Sequence, residues 1–174
     1  MLKSPTLLSP SLSSTEEDNK AELKRHKIAN KNAQWLSSPG MWGVYLFLLV
    51  ASRCILQLFL NTNSGWTTWN VLHAIVTFFA LHWVKGAPFS TEGTHIGDTK
   101  YHKLTLWEQI DGGVQYTPAR KFLTFVAILV FVVTLHFTAY NPLTFFINTT
   151  AFAVIFIAKQ PFMAKVRLFG INSD

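Results

Sequence analysis

One cysteine in 174 residues, Cys54, excludes an internal disulfide and any cysteine-based metal cluster. It stands inside an apolar run, where a small buried hydrophobe is the expected role. Charge is also scarce, at 14% Asp, Glu, Lys and Arg, well below the share usual in soluble domains. Acid is absent where it would matter most for coupled transport: residues 41–60, 66–84, 122–140 and 142–160 contain no Asp or Glu. A proton-coupled transporter needs an embedded carboxylate, so that class is disfavoured. There is no Gly-rich phosphate loop, no G-x-S-x-G elbow and no H-x-x-x-H or H-E-x-x-H pair. His73 and His82 lie half a helical circuit apart and cannot share a metal. No metal, catalytic residue or cofactor is expected, and no nucleic-acid partner.

What is present is apolar and clumped. Hydrophobic residues make up 49% of the chain, with 15 Phe and a mean hydropathy of +0.25. The four runs approach the roughly 20 residues that cross about 30 Å of hydrocarbon. Full helices are favoured over re-entrant hairpins or an interfacial fourth segment, because irregular backbone in lipid leaves amides unpaired. The expected fold is therefore an all-α membrane protein with four transmembrane helices in two hairpins, spans about 41–60, 66–84, 122–140 and 142–160. Residues 61–65 and Asn141-Pro142 read as turns, and Pro161 as a stop.

Charge orients the hairpins. Lys3, Lys20, Lys24, Arg25, Lys27 and Lys31 precede the first run. Lys85, Lys100, Lys103, Arg120 and Lys121 lie between the second and third, and Lys159, Lys165 and Arg167 end the fourth. With Arg53 these are all 15. The short turns hold none, so the positive-inside rule puts both termini and the long loop in the cytosol. Residues 1–14 contain no apolar h-region, so no cleaved signal peptide is expected. Residues 1–29, rich in Ser and Pro, read as a disordered cytosolic tail, and 30–174 as the membrane domain. In the long loop, Thr105-x-x-Glu108 has the form of a capping box, followed by Gly112-Gly113. A short helix at the cytosolic interface and an irregular loop remain alternatives there.

Arg53 lies about 18 Å into the first run at helical rise. It has no acidic partner in any run, so it snorkels outward, pairs with lipid phosphate or meets another subunit. Asn70, His73 and Thr77 share one helical face. Their polar stripe is a contact face for a partner helix or lipid headgroup, or else bonds within the four-helix unit. The sequon at Asn148 is buried in a run, which disfavours modification. Ser13, Ser14 and Thr15 each have an acidic residue within three positions downstream. That makes them candidate phosphorylation sites, against a plain solvated leader.

Four strings then carry a resemblance. They are Asn30-x-Asn32-x-x-Trp35 with Pro39-Gly40-x-Trp42; Val84-Lys85-Gly86-x-Pro88-Phe89; Trp107-Glu108-Gln109-x-Asp111-x-Gly113 through Gln115-Tyr116-Thr117-x-x-Arg120-Lys121-Phe122-Leu123; and Lys165-Val166-Arg167-x-Phe169-Gly170-Ile171-Asn172. In this order they resemble the Orm/ORMDL family of endoplasmic reticulum proteins. The resemblance implies a non-catalytic, ceramide-responsive inhibitory subunit of serine palmitoyltransferase, with the catalytic subunits, ceramide, membrane lipids and further sphingolipid-regulatory membrane proteins as partners. It also implies that Asn32 contacts the ceramide headgroup; read alone, Asn32 is a linker residue or helix cap at the membrane surface. Leu106 stands where some relatives carry histidine, so no polar contact is carried over there. The competing reading is a membrane scaffold or chaperone in lipid or calcium homeostasis without direct enzyme contact.

Overall fold

The computed structural model describes residues 31–86 and 103–167. The tail positions Ser13, Ser14 and Thr15 lie outside the described residues. The described chain is helical: a short α1 (Lys31–Gln34) running into a 3-10 turn, α2 (Pro39–Phe59), α3 (Thr62–Phe78), a short α4 (Leu106–Gln109), α5 (Pro118–Phe137) and α6 (Pro142–Ala158).

Caps explain where these helices begin. Pro occupies the first turn of α2, α5 and α6, a position where its missing N–H is not needed. The Asn61 side chain accepts from Ser64 N–H, and Thr117 from Arg120 N–H. The Asn61 cap corrects the expected turn at 61–65: Thr62, Asn63, Ser64 and Gly65 form the first turn of α3, hidden from a hydropathy reading by their polarity. The third run is corrected likewise, since Thr117 starts α5 at Pro118 and brings Arg120 and Lys121 into its first turn. At its other end α3 widens into a π-helical turn, Phe79–Trp83.

α3, α5 and α6 form the packed centre. Ala74, Ala127 and Ile155 meet in one cluster, and Trp69, Val126 and Val130 in another. Phe131 stacks on Phe152, ring centroids 4.4 Å apart. By contrast, α2 contains no buried residue. It is joined to α3 by Trp69 Nε1, which donates to Leu49 O and Ser52 Oγ, and by the pair Tyr45 Oη and His73 Nε2 at 2.8 Å. Its large side chains Phe47, Val50, Leu58 and Phe59 are exposed. α2 and α5 are long and apolar enough to cross a bilayer, and α6 is a shorter apolar helix. So much exposed apolar surface needs lipid or protein over it.

Candidate functional site

The polar end of the bundle is organised by one turn of α4. Thr105 Oγ1 accepts from Glu108 N–H, and Glu108 Oε2 accepts from Thr105 N–H at 2.8 Å, completing the capping box. Asp111, Gly112 and Gly113 have φ of 50°, 67° and 87°, so the reversal after α4 needs residues tolerant of the left-handed region. Of the two alternatives for this segment, the short helix is the one that forms. Trp107 and Ile110 are buried against Leu36, Leu81, Ala119 and Leu123, so the element closes the end of the bundle like a plug. The reason is local: the cap aligns Trp107 and Ile110 on the face toward the helices.

Glu108 then reaches beyond its own turn. Arg167 donates from both guanidinium nitrogens to its two oxygens, at 2.8 and 2.9 Å, and Lys165 N–H donates to Oε1 at 2.8 Å. Burial alone would raise the Glu108 pKa. The Arg167 hydrogen bonds, the Thr105 N–H, the Arg167 charge and the Lys165 N–H outweigh it, and hold the carboxyl down at about 2.

The next residue ties the other end of the described chain. Gln109 Nε2 donates to Gly86 O at 2.8 Å and Leu104 O at 3.0 Å. Asn32 Nδ2 donates to Gln109 Oε1 at 3.0 Å and to Gly86 O at 3.2 Å. The expectation of a loose surface residue is therefore revised: Asn32 is partly buried and anchored to residues far along the chain. Trp107 itself lies between cations. The Arg120 guanidinium is 5.1 Å and Lys159 Nζ 4.6 Å from its ring centroid, and Arg120 also donates to Trp107 O.

Asn32 lines a partly open cavity of 570 Å³ between α1, α2, α3, α4 and α5. Its walls include Trp35, Trp42, Tyr45, Leu81 and Phe122, and Thr77 is one of its polar members. Such a volume and such walls suit a mostly apolar ligand oriented by very few polar atoms. The other stripe residues turn inward. Asn70 Nδ2 donates to Asn148 Oδ1 at 2.9 Å and to Asn148 O, while His73 pairs with Tyr45. Asn148, the sequon residue, is fully buried and donates to Thr67. Asn32 and Thr77 thus share a cavity, whereas Asn70 sits at the α3–α6 seam. Arg53 lies at the opposite end, 4.0 Å over the Trp66 ring and bonded to Gln57. Among the described residues no group of His, Cys, Asp and Glu could hold a metal.

Sequence reasoning missed Gln109 as the hydrogen-bond partner of Asn32 and Glu108 as a tether. The available signal was a buried-amide problem: a Gln beside a capping-box Glu, between Trp107 and Ile110, must find partners once those neighbours are buried.

A model of the ORMDL family matches residues 30–167. The chain is 38% identical to ORM1-like protein 2 of Gallus gallus and 36% identical to ORM1-like protein 1 of Homo sapiens, each over 84% of this chain and 95% of the relative. It is also 35% identical to an uncharacterized protein of Schizosaccharomyces pombe, over 86% of this chain and 79% of that one. The match starts at Asn30, where the polar tail gives way to the segment carrying Asn32, and ends at Arg167, which closes on Glu108. On identity and extent together, this chain belongs to the ORMDL family.

Proposed function

We propose that this chain is a ceramide-responsive inhibitory subunit of serine palmitoyltransferase, acting at the first step of sphingolipid synthesis. The observation that carries the proposal is Asn32, in an ORMDL-family chain, at the edge of an apolar 570 Å³ cavity. A ceramide headgroup would occupy the cavity beside Asn32, with its chains passing between α2 and lipid. The catalytic subunits cover part of the exposed apolar surface, and this chain supplies binding rather than chemistry. In this reading α2, α3, α5 and α6 all span the endoplasmic reticulum membrane as two hairpins, with both termini and the α3–α4 loop cytosolic. Residues 1–29 form a separate regulatory tail, and phosphorylation at Ser13, Ser14 or Thr15 relieves inhibition by adding about −1.5 to −2 charge per site.

Purification in mild detergent with this chain as bait should recover the palmitoyltransferase subunits, and added ceramide should inhibit that complex. Recovery of the chain without them would favour the scaffold reading. For topology, a tag at Gly97 should be protease-accessible in sealed microsomes and one at Tyr140 protected. Protection of the Gly97 tag would break the four-span arrangement.

A further inference from the structure

An amide side chain can face a ligand in two ways, because its nitrogen donates twice and its oxygen only accepts. Two backbone carbonyls decide which way Asn32 faces. The oxygens of Gly86 and Leu104 lie 2.8 and 3.0 Å from the same terminal atom of Gln109. Only a nitrogen is compatible with two carbonyl oxygens, so this atom is Nε2 and Oε1 is turned away from them. Gln109 Oε1 and Gly86 O in turn both approach one end of the Asn32 amide, at 3.0 and 3.2 Å. Both are acceptors, so this end is Nδ2, and both of its N–H groups are used within the chain. What remains is Asn32 Oδ1, which is buried and has no hydrogen-bond partner. It belongs to a residue lining the cavity.

A buried acceptor without a donor is unfavourable until something fills it. Flipping the Asn32 amide to offer an N–H instead would drive Oδ1 against two oxygens. We infer that Gln109 fixes the polarity of the Asn32 site, so that the site selects a lipid headgroup by a hydrogen-bond donor, a hydroxyl or an amide N–H. The inference rests on the proposed ceramide reading and narrows it, because the headgroup's carbonyl cannot be the group that Asn32 recognises. Gln109 touches no ligand in this account; it is a positioning residue acting through Asn32.

The test uses the complex recovered with this chain and compares inhibition by short-chain ceramide with its 1-deoxy, 3-deoxy and N-methyl derivatives, each lacking one donor. With the wild-type chain, one of the three should be weaker than the parent by about tenfold or more. Gln109→Met keeps the side-chain length but removes the nearer of the two acceptors that orient Asn32 Nδ2, leaving Gly86 O alone, and should pull that ratio toward one. A merely structural role would weaken all four ligands together and leave the ratio unchanged, which would overturn the assignment of Gln109. If Gln109→Met does not assemble, the wild-type series alone decides the polarity. Equal potency of all four ligands on wild type would overturn the inference while leaving the ceramide reading standing. No inhibition by the parent ceramide would overturn the ceramide reading and the inference with it.

Discussion

The α4 plug and helix α2 are built on opposite plans. The plug is short and buried, and its polar side chains have specific partners: Glu108 with Arg167, Gln109 with Gly86 and with Asn32 of α1. α2 is long and apolar, with no buried residue and only a few ties to the bundle. The plug is specified by particular atoms, so near-isosteric changes there should be costly. α2 is specified by composition, so many apolar side chains should serve equally well at its outer face. In a membrane this contrast is expected, since lipid solvates an exposed Leu but cannot satisfy an unpaired buried polar group.

The largest effect should come from Glu108→Gln. It removes the charge that binds Arg167 and replaces one acceptor oxygen by a donor beside the guanidinium and two N–H groups. Breaking one partner of such a buried pair should cost about 3 kcal/mol, read as a lowered melting temperature of the purified chain in detergent. A loss no greater than that from an α2 surface change would erase the contrast. The same group gives a pH signature. The Glu108 carboxyl lies at about 2 in the fold against an ordinary 4.5, so its contribution is full above 4.5 and fades as pH falls toward 2. Wild type should lose stability across that window by more than Glu108→Gln does. Equal slopes would remove Glu108 as the source.

A middle value is expected at the α3–α6 seam. Asn70→Ala leaves Asn148 Oδ1 without its donor, while Asn148 Nδ2 keeps Thr67, and in the four-span reading should cost about 1 kcal/mol, as polar contacts between membrane helices do. Replacing Asn70 and Asn148 together by Leu should recover part of this, because no buried amide is then left unpaired. The smallest effect belongs to α2. Phe47→Leu and Leu58→Ala, both on its exposed face, should change stability of the isolated chain by less than about 0.5 kcal/mol. A larger loss would mean that α2 is held by more than lipid-like solvation.

The same contrast explains what could be read from the sequence. Helices α2, α5 and α6 are visible as apolar runs with very little charge, and the Thr105–Glu108 box as a spacing, because each is a local pattern. The first turn of α3 escaped notice because Thr62, Asn63 and Ser64 look like a turn until Asn61 is known to cap them. The plug's tethers join residues 54 to 77 positions apart, and no periodicity encodes such pairs. Asn32 was singled out through family resemblance alone, and its anchoring changes what a substitution there means. Asn32→Ala removes two hydrogen bonds within the chain as well as any ligand contact, so thermal stability must be measured beside ceramide sensitivity.

The consecutive placement of Glu108 and Gln109 also has a consequence for the order of events during synthesis. Asn32 is made early, but its amide partner lies 77 residues later, and the guanidinium that holds the neighbouring carboxylate lies 59 residues beyond that carboxylate. In the four-span reading, α2 and α3 enter the membrane while the ribosome is still translating the rest. The plug cannot close until Lys165 and Arg167 have left the exit tunnel. A nascent chain stalled before that point would have every wall of the cavity yet lack the clasp at Glu108, so competence to respond to ligand should appear last, in a single late step.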